Sequence, residues 1–368
     1  MELTDFSKTY GNFYAPAYAV RLGRTDLMRE LMVSVSQVEV DMVLGAASRF
    51  SFTLTDCYSH KYHAFKTDRG ADLLPLLSFG AEVEICMGYG DSKSTPVVLS
   101  GIITEITTNF PEGGSPELAV AGFDHGFPLT VGKNSRTWTK ASDSDAAHEI
   151  ASYNNLDAVI ESTKEKHAQI EQNQESDWEF LKKLADRNHF ELYVDERRTL
   201  HFAKPNDKAD AVVRLLYGEG LLTFKPEANL AEQVSRVEIY GWDRQQKKAI
   251  VGVATAGEES GLSGKSPGQY LNGFVRDPKK QPTLRLRQPV FTQAEADQRA
   301  KAALNERAKK FLTGEGETIG LPDIRPDRSV ELANLGSPFS KIYYIQQSTH
   351  KIDANGYRTR FKVKETGL

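Results

Sequence analysis

Gln174-Glu175-Ser176-Asp177-Trp178-Glu179-Phe180-Leu181-Lys182-Lys183-Leu184-Ala185 lies near the middle of a 368-residue chain. Ser176, followed three residues later by Glu179, is a capping box. The hydroxyl accepts from the amide of the third residue, and the carboxylate reaches back to the serine amide. Trp178, Leu181, Leu184 and Ala185 then recur at the spacing of one helical face. Glu191-Leu192-Tyr193-Val194 and Thr199-Leu200-His201-Phe202, separated by Asp195 to Arg198, predict a hairpin directly after the helix. Upstream, Ser142 to Asn154 has a polar start and sets Ala146, Ala147, Ile150 and Ala151 on one face. Residues 142–208 therefore predict a small α+β domain.

On both sides of this island the period changes from helical to two. In the N-terminal part, residues 1–141, Arg49 to Thr55 and Ala81 to Met87 alternate apolar and polar residues as half-buried strands do. Val97 to Thr107 and Glu117 to Gly122 continue the pattern, with Pro111-Glu112-Gly113-Gly114-Ser115-Pro116 as a break. Several short strands at close spacing predict a barrel or a sandwich. Asp68 to Ser78 interrupts them as a short helix or a loop. In the C-terminal part, residues 209–368, Val234 to Tyr240 alternates again. Gly241-Trp242-Asp243 to Lys248 predicts a turn and Ala249 to Val253 the return strand. Residues 255–282, rich in Gly, Ser, Pro and charge, predict a long surface loop. Thr292-Gln293-Ala294-Glu295 caps an Ala-rich helix over 293–312, closed by Gly314. Asn355-Gly356, between Ile342 to Lys351 and Tyr357 to Lys364, predicts a hairpin with a type I′ turn. The fold class is mainly β with an α+β insert and one helix in the second half. No close internal repeat is visible.

Composition narrows the function. Lys and Arg number 46 against 50 Asp and Glu, so the net charge is -4 and no basic footprint for gripping nucleic acid is present. No apolar run approaches the roughly 18 residues of a membrane helix, which predicts no membrane insertion. The start, Met1-Glu2-Leu3-Thr4-Asp5, has neither a basic nor an apolar leader region, which predicts synthesis in the bacterial cytoplasm. Two cysteines, Cys57 and Cys86, exclude a disulfide scaffold.

Catalytic motifs are scarce: no nucleophile elbow, zincin helix, phosphate loop or dinucleotide fingerprint occurs. Cys57, His60 and His63 are zinc-ligand types at short spacing, but a structural site needs a fourth ligand, and the expectation is a polar loop. Glu175, Asp177 and Glu179 crowd a helix start, where negative charge complements the helix dipole. Asp124-His125 lacks an identifiable nucleophile partner and is expected in a turn. The basic residues of Arg299 to Lys310 lie on a mixed-charge helix with Glu306 and predict a solvated helix face. Trp178 is expected as a core anchor of its helix; Trp242, after a strand and before a turn, is expected first in a core, with packing at a barrel end or in a subunit contact as the alternative. No catalytic, metal or cofactor site is predicted.

Several of these stretches together resemble a known family. Gln174 to Leu181, with Trp178, Phe180 and Leu181, and the continuation to Phe202, is similar to baseplate hub proteins of contractile tails and to type VI secretion spike proteins of the VgrG kind. Val234 to Asp243, ending in Gly241, Trp242 and Asp243, resembles the phage late control D family. Phe13-Tyr14-Ala15-Pro16, the strand near Val20 and Phe50-Ser51-Phe52 fit the same pattern. The resemblance covers roughly residues 13–366. It implies two tube-like β-barrel domains, with a small α/β domain after the first. It further implies a non-enzymatic homotrimeric ring that joins a trimeric spike to a hexameric tail tube within a baseplate, with no cofactor. Implied partners are a separate spike protein, since the sequence ends just after the terminal hairpin, the tail tube protein and other baseplate or tape-measure proteins. DNA or effector cargo would pass without specific binding. The alternatives are a needle-less type VI secretion component, a tail-tip cell-wall hydrolase, and a carbohydrate-binding module using Trp138 or Tyr270.

Overall fold

A computed structural model describes the chain except residues 1, 208, 244–246, 260–263, 276, 278–279 and 291; of residues 9, 12 and 243 it describes the backbone alone. The chain divides into two units, one of residues 1–206, 318–327 and 347–360, the other of residues 207–317, 328–346 and 361–368. The protein is mainly β and contains a closed six-stranded barrel with additional strands.

The first unit opens with helix α1 (Leu3–Thr9), followed by β1 (Pro16–Leu22), β2 (Thr25–Asp26), β3 (Ser34–Val43) and β4 (Arg49–Thr55). Short β5 (Tyr58–Ser59) and β6 (Ala64–Phe65), helix α2 (Leu73–Leu76), and strands β7 (Glu82–Tyr89), β8 (Val97–Asn109) and β9 (Glu117–Asp124) complete this β-region. Its hydrogen-bonded order is β2-β1-β7-β8-β9-β4-β3. The alternation in Arg49 to Thr55 does what a half-buried strand requires: Phe50, Phe52 and Leu54 enter the core, beside Val38, Val83, Ile85 and Val120.

The same unit carries α3 (Phe127–Thr130), β10 (Asn134–Ala141), α4 (Asp143–Tyr153), β11 (Asp157–Ile160), β12 (His167–Glu175), α5 (Asp177–Asn188), β13 (Glu191–Val194) and β14 (Thr199–Ala203). Both predicted helices are present, each with its capping box: Ser142 with Asp145 and Ser176 with Glu179. The predicted hairpin is β13–β14, with β11 added parallel to β14. These elements have their own core, in which Trp138 stacks on Phe180 with ring centroids 5.1 Å apart. β10 pairs with β12 rather than with the preceding strands of the first β-region, and its Trp138 belongs to this core, although it lies before residue 142. β12 was invisible in the sequence because only Ile170 and Gln172 of His167-Ala168-Gln169-Ile170-Glu171-Gln172-Asn173-Gln174-Glu175 are buried, which leaves no apolar alternation.

The second unit is built from β15 (Arg214–Tyr217), β16 (Gly220–Ala228), β17 (Arg236–Asp243), β18 (Lys248–Thr255), α6 (Pro267–Phe274), β19 (Thr283–Arg287) and α7 (Gln293–Ala308). β20 (Leu312–Ile319), β21 (Ser329–Ala333), β22 (Lys341–Asp353) and β23 (Gly356–Glu365) follow, some of their ends counting in the first unit. The order β22-β21-β15-β16-β20-β23, with β22 paired again to β23, closes the six-stranded barrel. β18-β17-β19 form a separate sheet, on which α7 packs through Ala296, Ala300 and Leu304.

Three local expectations change. Residues 255–282 contain helix α6, opened by a capping box of Ser266 and Gln269 with Pro267 in the first turn; Gly268 and Gly273 hid it. Residues 260–263, 276 and 278–279 of that stretch, and 244–246 of the turn expected after Trp242, lie outside the described residues. Gly314 does not cap α7 but sits within β20, where a Cβ would come within 2.5 Å of the Phe224 ring. The β22–β23 turn is not type I′, because Gly356 takes φ +98° while Asn355 is not at positive φ; Asp353 instead accepts from the Asn355 amide at 2.8 Å.

Candidate functional site

The residues that could carry chemistry are held apart or already engaged. Cys57 is buried after β4, and its thiol is pushed up by burial. His60 is exposed and lies edge-on to the Tyr58 ring at 5.2 Å, while His63 adopts φ +50°. Among the described residues, no group of three His, Cys, Asp or Glu side chains is placed to hold a metal ion. Cys86 is also buried, and desolvation pushes its thiol up to about 11.

Asp124 and His125 do different jobs. The Asp124 carboxylate is buried and accepts from the amides of Ser48 at 2.7 Å and Gly126 at 2.8 Å. Burial raises its pKa to about 6 against those bonds. His125 Nε2 lies 3.1 Å from Ser100 Oγ, the one arrangement here resembling half of a hydrolytic triad. Burial, and then the nearby Arg198, lower the His125 pKa to about 4, so it is a weak base. Among the described residues no carboxylate is hydrogen-bonded to its ring. Ser100 therefore lacks the oriented base that nucleophilic catalysis needs.

Asp177, at the start of α5, is a structural hub. Its carboxylate accepts from Asn134 at 2.9 Å, Arg136 at 2.7 Å, Gln172 at 2.8 Å and Asn154 at 3.2 Å, so it ties β10, β12 and the end of α4 to α5. Burial opposes ionisation of Asp177, but these bonds outweigh it and the pKa is lowered. At the start of α4 the Asp143 carboxylate accepts from Arg187 and Asn188 and so ties α4 to the end of α5.

The family-pattern residues fall into two groups. Trp178, Phe180 and Leu181 are buried in the α+β core, and the Trp178 indole donates to Gly45 O at 3.1 Å. Gly241 is dictated by space: a Cβ there would stand 2.0 Å from Val290 Cγ2. Trp242 corrects the expectation that it is a core residue, for it is 55% exposed. The physical reason is parity. Val237 and Ile239 face α7, so Tyr240 and Trp242 fall on the opposite face of the sheet. Asp243 ends β17 and pairs with Lys248 of β18 in the backbone register.

That opposite face is the strongest candidate surface. Tyr240 stands opposite Val251 of β18 and Arg287 of β19, and Trp242 opposite Ala249. Below them Glu238 accepts from Tyr240 Oη at 2.7 Å, Arg236 Nε at 2.8 Å and Arg285 Nε at 3.1 Å. The Tyr240 hydroxyl, then Arg236, hold its pKa below the usual carboxylate value. An exposed Trp and Tyr on one strand face that also carries arginines is the composition enriched at the energetic centres of protein interfaces. Sequence periodicity could have found this face, since Arg236, Glu238, Tyr240 and Trp242 share one parity.

Trp138 cannot serve as a carbohydrate platform: it is buried and its indole donates to Glu149 at 2.9 Å. Tyr270 is half-buried, with its hydroxyl donating to Leu368 O at 3.2 Å. Among the described residues no helix is long and apolar enough to cross a membrane.

The architecture is shared with tail proteins of phages and prophages. The structure superposes on the 43 kDa tail protein of prophage MuSo2 from Shewanella oneidensis with TM-score 0.70 and 13% identity, covering 95% of this chain and 98% of that one. A tail protein from Neisseria meningitidis gives TM-score 0.69 and 14% identity, covering 96% and 100%. The Escherichia coli c3393 protein, described as a component of the type VI secretion system, gives TM-score 0.54 and 10% identity, covering 94% of this chain and 76% of that one. The resemblance to baseplate hub proteins seen in the sequence is thus matched at the level of the fold. By sequence, the chain belongs to the family described as Alg8 N-terminal domain, whose model matches residues 21–354. Among curated proteins, no sequence matches.

Proposed function

We propose that this protein is a non-enzymatic structural component of a contractile phage tail or phage-like injection system, acting as its baseplate hub. The observation that carries the proposal is the near-complete correspondence with the MuSo2 tail protein, 95% of this chain on 98% of that one, with few residues left over for a separate activity. Three copies form a ring that joins a trimeric spike to the hexameric tail tube. Residues 1–141 and 209–368 supply the two tube-like domains of each copy, and residues 142–208 a smaller domain beside them. A separate spike protein, the tube protein and other baseplate or tape-measure proteins are the partners, and DNA or effector cargo passes through the ring. The protein is made in the bacterial cytoplasm and built into the particle. The exposed Trp242 face supports this reading, because a monomeric protein has little use for a Trp and a Tyr standing among arginines.

The test is the solution mass by light scattering, alone and with the candidate spike. A trimer, or a complex of three copies with three spike chains, is expected. A monomer that ignores the spike overturns the hub. The likeness to c3393 favours a second reading, a needle-less type VI secretion component. Location in purified particles separates the two: a phage-like tail under the hub reading, a secretion apparatus under the second.

A further inference from the structure

Two short edge strands of this chain carry opposite charge. β11 is the free edge of the sheet β11-β14-β13, and β19 is the free edge of β18-β17-β19. Each runs parallel to the central strand of its sheet. Along β11 and just beyond it, Asp157, Val159 and Glu161 share one parity; along β19, Arg285 and Arg287 do. Asp157, Val159, Arg285 and Arg287 are exposed. Glu161 is held by Lys204, and Arg285 by Glu238. The side chains of Asp157 and Arg287 have no partner among the described residues.

The backbone fixes which pairing these edges accept. The amides of Asp157 and Glu161 donate inward, to Arg198 O at 3.1 Å and Phe202 O at 2.9 Å, so residues 158 and 160 offer their groups to the free side. In β19 the phase is reversed. Pro282 O accepts from Ser235 at 2.9 Å and the Gln288 amide donates to Tyr240 O at 3.1 Å, so the odd residues 283, 285 and 287 point outward. In a parallel ladder, a residue that offers its groups stands beside one that does not. Parallel addition of β11 to β19 therefore puts Asp157, Val159 and Glu161 on the same face as Arg285 and Arg287. Antiparallel addition would put them on opposite faces. Joined antiparallel, like edges repel: β19 on β19 stacks arginines, and β11 on β11 stacks carboxylates.

We propose that β11 of one copy adds in parallel to β19 of the next, so that neighbouring copies join head to tail through two different edges. This rests on the ring reading and names one of its contacts. A heterologous contact whose rotation closes around an axis generates a ring.

Charge exchange tests it. Asp157→Arg and Arg287→Asp each replace an exposed side chain, and circular dichroism confirms that each variant folds. Each single variant is expected to weaken self-assembly, followed by light scattering across a dilution series, by roughly tenfold or more. The double exchange is expected to restore it. A chain carrying Val159→Cys with Arg287→Cys is expected to cross-link between copies on mild oxidation, since both native thiols are buried. If the native protein assembles and neither single variant weakens it, the edge contact is overturned and the ring stands. If the native protein is monomeric at every concentration, alone and with the spike, both fall.

Discussion

His350 sits wholly inside the first unit, with Nε2 3.0 Å from Ile324 O and Nδ1 2.9 Å from Tyr357 Oη. Facing a carbonyl, Nε2 must carry the proton, so Nδ1 accepts, with the Tyr357 hydroxyl and, at 3.1 Å, the Thr359 hydroxyl both within reach. Burial, then the neighbouring Arg325, lowers its pKa to about 3. The unfolded chain takes up a proton near pH 6.5 and the folded chain does not, so stability is full above that pH and falls as the pH drops toward 3. The slope is about 1.4 kcal/mol per pH unit. Asp124 acts in the opposite sense. Its raised pKa gives stability that is full below the ordinary carboxylate range and is lost as pH rises through about 6. Urea midpoints at pH 7 and pH 5 should show a shallower acid loss in His350→Gln than in the native protein. Asp124→Asn should show a steeper one, and equal slopes in all three would refute this account. Space, rather than charge, governs Gly252, where a Cβ would lie 2.1 Å from the Ala296 carbonyl carbon of α7. Because that neighbour is backbone, Gly252→Ala should cost about 1–3 kcal/mol or more, read as a lowered melting temperature.

At the level of elements, the capping box at Ser176 was plain in the sequence because a cap is a local contract between residues three apart, while at Ser142 only a polar helix start was read and the structure adds its box with Asp145. Ser176→Ala should cost about 1 kcal/mol by chemical denaturation. Asp177→Ala, one residue further on, should cost more, about 3 kcal/mol, because it removes the charged partner of Arg136 and one acceptor from each of three amide groups. A loss no larger than that of Ser176→Ala would deny Asp177 its role as a hub. The same comparison explains what stayed hidden. Asp177 read as a helix-dipole acid, and nothing local reveals that Asn134 and Arg136, some forty residues away, would arrive at it. β10, β11 and β12 escaped for a related reason: their burial is set by the layer that covers them, so Gln172 is inside and Val159 outside. Trp242 was misplaced because tryptophan suggests a core, whereas the parity of its strand puts it on the outer face.

At the scale of the whole molecule, the order of β-region, α+β island and β-region was legible from the switch in period alone, and closure of the barrel was not, since it depends on which distant strands meet. If the exposed Trp and Tyr of β17 serve assembly, Trp242→Ala should leave the melting temperature within about 1 °C. It should still abolish one association step, since an exposed side chain contributes little to folding and much to a desolvated contact. Pull-down with the spike or tube protein checks this; unchanged binding to both would remove the face from the assembly. The two cysteines bear on how durable such a particle is. Both lie inside the first unit, with their thiols driven away from the reactive thiolate. Native protein should take up no iodoacetamide at neutral pH and two equivalents once unfolded. A molecule with that profile can be made under reducing conditions and then kept for long periods in aerated water without cross-linking to its neighbours through its thiols until it unfolds.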